Sequence, residues 1–314
     1  MSHHPLSAPA LLFCCFLILP SSAAADEFQV LLEKNYRLNL PARKPDEKEL
    51  TQDTRIVSVD VFLDRKAGRL FYVGKAGNAL AVVPSGKGIG ETDGKALKPV
   101  HRLVLPVRRF HDKDFGEKTP KISVEVYRDK RTANWVFVSH TGALAVFPAD
   151  KAPVGKPGQK ARWLYRLPLK VRHLDKFEVE YHLCNVDVYR DEYTGALLYV
   201  AESGTLAAIP RGKSDPGQNA DAQVWSHALE LKVRKPGAEK FEPITSTRFG
   251  MEIYQDRNRG AWVHVTEKLQ LAVVPGSKAL GEKIQAPVWL QGLRPPGDPA
   301  RQWSAEVYDN PNVD

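Results

Sequence analysis

Cysteine is scarce in this chain, with three in 314 residues, at positions 14, 15 and 184. Cys14 and Cys15 lie in an apolar run near the N-terminus that reads as a leader, so one thiol, Cys184, is expected to remain, and no internal disulfide can form. An exported chain of this kind is stabilised by packing, which its size permits. The sequence also lacks H-E-x-x-H, G-x-S-x-G and C-x-x-C, the usual marks of zinc hydrolases, serine hydrolases and redox sites. Gly86 to Lys95 is glycine-rich but without the Walker spacing, and it reads as a loop. No helical period appears between the strand-like segments described below.

Charge is missing from the first 25 residues, which hold no Lys, Arg, Asp or Glu. Ala10 to Leu19 are apolar, and Pro20, Ser21, Ser22 and Ala23 to Ala25 follow. That pattern predicts a signal peptide over 1–25 and a mature domain over 26–314, in a secreted or periplasmic setting. The run is short for a spanning helix, although a retained anchor is the competing reading; no lipid-attachment cysteine follows it. No later apolar run is long enough to span a bilayer, so no transmembrane segment is expected after signal removal. The net charge of +8 is spread along the remaining chain, which favours anionic partners through the summed field and not through a tail.

What is abundant is repetition. Four full copies and one partial copy of a unit of roughly 62 residues run through the chain. Each carries an alternating strand: Val57 to Phe62, Ile122 to Tyr127, Asn185 to Tyr189, Gly250 to Tyr254 and Ser304 to Tyr308. A hairpin opened by an acid follows, at Asp64, Asp129, Asp191 and Asp256, closed by Gly68, Ala133, Gly195 and Gly260. A second strand comes next (Leu70 to Val73, Trp135 to Val138, Leu198 to Val200, Trp262 to Val265), then a turn at Asn78, Gly142 and Gly204. Leu269 holds that turn position in the fourth copy, so a differently built hairpin is expected there. The third strand is the most uniform: Leu80 to Pro84, Leu144 to Pro148, Leu206 to Pro210 and Leu271 to Pro275, each ended by proline. A further strand recurs at Tyr36 to Leu40, His101 to Val107, Tyr165 to Val171, His227 to Val233 and, weakly, Trp289 to Leu293. Cut at this strand, the repeats run over about 35–100, 101–164, 165–226, 227–290 and a partial 291–314.

Four short antiparallel strands per unit cannot bury both faces alone, and stacking around an axis solves that. At the level of architecture the chain resembles a β-propeller, an all-β fold of four-stranded antiparallel blades. The resemblance implies four complete blades and a partial fifth, closed by N- and C-terminal strands, with Phe28 to Leu32 and Tyr36 to Leu40 joining Trp303 to Tyr308. A truncated ring and a string of small barrels are the competing arrangements. The Trp-Asp mark of WD40 blades and the double glycine of kelch blades are absent.

Two columns are candidates for function. Asp60, Glu125, Asp187, Glu252 and Glu306 recur in the alternating strand; if that strand is innermost, they form a ring of carboxylates at the channel, suited to a cation or to acid/base work. An acid repeated in every unit is a structural acceptor before it is a catalyst, since catalysis needs unequal acids. Arg43, Arg108, Arg172, Arg234 and Arg294 follow the further strand at its exit and predict a basic rim able to grip carboxylate or sulfate. Acids in the same loops, such as Asp46, Asp112 and Glu178, compete for them.

His101 and His227 share a column with Tyr36 and Tyr165 and read as packing positions, so no metal site is expected. No cofactor, no nucleic acid partner and no catalytic residue is predicted. The sequence therefore favours an exported binding or scaffold protein of the cell envelope, with anionic polysaccharide or an envelope protein as partner. The alternative is a polysaccharide-active hydrolase or lyase using Asp187 or Glu252, which gains if His182, Tyr181 and such an acid converge in a cleft.

Overall fold

The computed structural model describes residues 15–16, 29–31, 33–64, 68–74, 80–84, 98–129, 131–148, 153–172, 181–210, 223–234, 241–243, 246–258, 260–266, 268–276, 288–294 and 305–309. Among them are twenty strands and no helix. Two short strands, β1 (Cys15–Phe16) and β2 (Gln29–Leu31), come first. Four four-stranded antiparallel sheets follow in a propeller arrangement. The first blade is β3 (Glu33–Pro41), β4 (Ile56–Asp64), β5 (Arg69–Gly74) and β6 (Leu80–Pro84). The second is β7 (His101–Pro106), β8 (Lys121–Arg128), β9 (Asn134–Ser139) and β10 (Leu144–Pro148). The third is β11 (Ala161–Arg172), β12 (Tyr181–Asp191), β13 (Leu197–Ala201) and β14 (Leu206–Ile209). The fourth is β15 (Gln223–Arg234), β16 (Ser246–Asp256), β17 (Ala261–Thr266) and β18 (Leu271–Pro275).

The last strands, β19 (Val288–Arg294) and β20 (Ala305–Asp309), pair antiparallel with each other. Gln29 to Leu31 of β2 pair with β19 in parallel, and β1 pairs with β20. Tyr36 to Leu40, expected beside the C-terminal strand, instead pair with β4 inside the first blade. Alternation gives the reason: Leu38 and Leu40 are buried together with Val57, Val59 and Val61 in one apolar face.

The four uniform strands β6, β10, β14 and β18 line a cavity of about 190 Å³ on the axis. Their Leu-Ala-Val-Val type sequence suits that place, because small aliphatic side chains fill a crowded centre without bringing polar atoms that need partners. The acid-bearing strands β4, β8, β12 and β16 stand two strands further out, so the expectation of a carboxylate ring at the channel is corrected.

Period two assigns each side chain to one of two seams. In β9, Val136 and Val138 join the apolar cluster shared with the first blade, while Trp135 and Phe137 join the one shared with the third. A third cluster joins blades three and four through Leu167, Val186, Tyr199 and Val263. Each fully buried side chain of this size contributes about 1.5–3 kcal/mol. β9, β13 and β17 are buried along their whole length because both of their faces meet a neighbouring blade.

The turns repeat as well. Gly142 (φ 96°) and Gly204 (φ 85°) occupy the left-handed region, and each donates its N–H three residues back, to Ser139 and Ala201. Leu269 was expected to need another hairpin, yet it has φ 58° and donates to the Thr266 carbonyl at 2.8 Å. The turn is the same, held by a leucine in a conformation that costs about 1–2 kcal/mol in a non-glycine residue. Hydroxyls of Ser203 and Thr205 donate to the Leu269 carbonyl and help to hold it there.

Candidate functional site

The acid column and the arginine column meet each other across the seams. Arg43, just past the end of β3, places Nε 2.6 Å and Nη2 3.0 Å from the two oxygens of Glu125 on β8. Arg108, past the end of β7, sets Nη2 2.7 Å from Asp187 Oδ1, and its backbone N–H donates to Oδ2 at 2.8 Å. Arg172, the last residue of β11, reaches Glu252 on β16 at 2.6 and 3.2 Å. In each seam the arginine of one blade thus holds the acid of the next. The Glu125 and Glu252 hydrogen bonds raise the affinity of Arg43 and Arg172 for their protons, so both guanidiniums stay charged.

The first blade differs. Asp60 takes a two-pronged bond from Arg37 of its own sheet, at 2.7 and 2.9 Å, where Arg37 and Asp60 are cross-strand partners. The side chains of Arg234, Arg294 and Glu306 lie outside the described residues.

Arg37 belongs to a column that sequence reading passed over: Tyr36-Arg-Leu38, His101-Arg-Leu103 and Tyr165-Arg-Leu167, with Ala228 in the fourth copy. Arg102 bonds Ser123 and lies 3.6 Å from Glu125, and Arg166 bonds Asn185. The three-residue pattern was visible in the sequence as an arginine after the aromatic in the first three copies.

The aromatic columns also latch the seams. Tyr127, Tyr189 and Tyr254 donate their hydroxyls to the carbonyls of Pro41, Pro106 and Lys170 in the preceding blade. Burial raises the pKa of Tyr127 and Tyr189 far above the usual phenol value and pushes Tyr254 up to about 12, so all three act as donors. The turn acids take a third set. Asp129 accepts from Tyr72 at 2.8 Å, and Asp256 accepts from Tyr165 and Tyr199 at 2.8 Å each. His101, read as a packing position, lies with Nε2 3.2 Å from Asp191 Oδ1, and its Nδ1 accepts from Gly158 N–H. Burial opposes ionisation of Asp191, but His101, Thr194 and the Tyr193 N–H together hold it below the usual carboxylate range.

The three described seams differ in cover. Asp187 accepts from Arg108 twice, from Trp163 Nε1 at 3.0 Å and from Asn185 Nδ2 at 3.1 Å, which occupies its lone pairs. Phe115 and Trp163 stack on Arg108 at 4.4 and 4.9 Å from the ring centroids and seal the pair. The Arg108 side chain is 7% exposed and that of Arg43 14%, against 42% for Arg172.

At the third seam a groove of about 480 Å³ is lined by Lys170, Arg172, Tyr181, Gln223, Glu252 and Tyr254, with Pro168. Its carboxylate is Glu252 and not Asp187, and His182 is not among the lining residues. Burial pushes the Cys184 thiol up to about 12, which leaves it unreactive at neutral pH. Among the described residues no group of three or more His, Cys, Asp or Glu is placed to hold a metal ion, and no helix is long and apolar enough to cross a membrane.

No protein-family model, curated protein or solved structure matches this chain.

Proposed function

We propose that the chain is an exported, non-enzymatic β-propeller of the cell envelope, secreted or periplasmic, that serves as a binding scaffold for anionic polymers. The observation that carries this reading is the matching of the two candidate columns across the described seams. Glu125, Asp187 and Glu252 are each held by an arginine, so their oxygens are spent on joining blades. Three latches per seam make a rigid body, which suits a scaffold. The net charge of +8 remains on a surface whose loops mix both signs. With Arg43 and Arg108 turned into the seams, contact with an anionic polymer falls to Arg172 and to exposed residues such as Lys113 and Lys121. The partial fifth blade, built from β19 and β20 with β2 at its edge, belongs to the same proposal.

The test is retention of the protein from Asp26 onward on immobilised neutral and anionic polysaccharides at low and moderate salt. Retention on the anionic supports alone, weakened by salt, is the expected outcome. Failure to bind any support overturns the polymer reading and leaves an envelope protein as the partner to seek. Release of shortened or unsaturated sugar products, abolished by Glu252→Gln, replaces it with the hydrolase or lyase reading.

A further inference from the structure

The seam between blades three and four combines an unsealed ion pair with unused binding capacity. Lys170 projects from β11 beside Arg172, and its ammonium has no ion-pair partner among the described residues. Glu252 balances Arg172, so one positive charge is left over among the described residues that line the groove. On the other wall Gln223 buries its Oε1, and no donor among the described residues reaches that atom. A buried acceptor without a donor costs about 1–3 kcal/mol, which the Gln223 amide would recover by turning toward a ligand hydroxyl in the groove. Tyr181 stands at the mouth with 46% of its surface exposed. The floor is fixed, because the Tyr254 hydroxyl donates to the Lys170 carbonyl and accepts from the Lys170 N–H.

These groups ask for one ligand that brings an anionic substituent for Lys170 and Arg172, a hydroxyl donor for Gln223 Oε1 and a flat C–H face for the Tyr181 ring. An acidic pyranose, carrying a carboxylate or a sulfate, has all three within one ring. We propose that the groove between the third and fourth blades is a subsite for a single acidic sugar residue of a polysaccharide. The inference rests on the polymer-binding reading above and narrows it to one place and one chemistry. The sealed seam between blades two and three provides the internal contrast. Its arginine lies under Phe115 and Trp163, so it offers no such charge to a ligand.

Titration calorimetry of the full protein from Asp26 with short uronic, sulfated and neutral oligosaccharides tests it, alongside polyglutamate as a non-sugar anion. Uronic or sulfated oligosaccharide is expected to bind, whichever of the two fits better, with neutral sugar and polyglutamate at least about tenfold weaker. Tyr181→Ala weakens binding about tenfold and Lys170→Gln about threefold. Both side chains are exposed, and the Tyr254 latch uses only the Lys170 backbone, so these variants fold. Lys156→Gln, exposed and outside the groove lining, leaves affinity unchanged. If acidic sugars bind and neither groove variant weakens them, the subsite is wrong and the scaffold reading stands. If no acidic sugar binds the wild-type protein, both fall. Equal affinity for polyglutamate overturns the sugar chemistry alone.

Discussion

The seam between blades two and three and the seam between blades three and four carry the same ion pair in the same columns, yet one is closed and the other open. Arg108 and Asp187 lie beneath two aromatic rings and share four donors between them and their neighbours, whereas Arg172 meets Glu252 at the wall of a groove. A repeat therefore fixes which residues meet, and the residues specific to each blade decide whether the meeting is a latch or a surface. Phe115 belongs to the loop between β7 and β8, and the corresponding loop has its own sequence in each copy.

The largest effect that separates the seams is on stability. Asp187→Ala leaves Arg108 buried without its counter-charge and is expected to cost about 3–5 kcal/mol, while Arg172→Ala, which strips a half-exposed arginine from a Glu252 that borders the groove, costs less, about 1–3 kcal/mol. Urea midpoints of the two variants measure the gap, and equal losses would show that the difference in cover has no energetic meaning.

A smaller contrast lies in the response to acid. Because folding lowers the pKa of Asp191, its contribution is complete above the unfolded value near ~4 and is lost as pH falls through the lower folded value. His101→Phe removes the imidazole that lies 3.2 Å from Asp191, costs about 0.5–1.5 kcal/mol at neutral pH and flattens the fall in stability toward low pH. Denaturation midpoints from pH 7 down to pH 3 read this, and a slope identical to wild type would deny His101 its role in the seam.

The smallest effect concerns a turn common to the blades. Ala133 adopts φ 57° where Gly195 and Gly260 stand in the next two blades, and its side chain is exposed. Ala133→Gly is expected to add about 1 kcal/mol by relieving the left-handed conformation. A thermal midpoint unchanged or lowered would mean that Ala133 is not strained there.

Much of this was legible beforehand. Alternation gave the strands, prolines their ends, and aspartates with glycines the first hairpins; the recurrence of the unit then pointed to blades. Both candidate columns were visible too, but as two separate sites. Their spacing held the missing signal: Arg43 to Glu125, Arg108 to Asp187 and Arg172 to Glu252 are 82, 79 and 80 residues apart, a near-constant offset of somewhat more than one repeat. The aromatic column was read as packing because a buried Tyr or His shows its apolar body in a sequence pattern and hides where its polar tip ends.

By itself the sequence determined the strands, their order within each blade and the residues that recur, because these follow from local periodicity and turn chemistry. Only the tertiary structure decided which strand faces the axis, that the acids serve the arginines of the preceding blade, and that one seam is sealed while another stays open. Those outcomes depend on which faces meet and on what covers them, and a period of two names two faces without saying what lies against either.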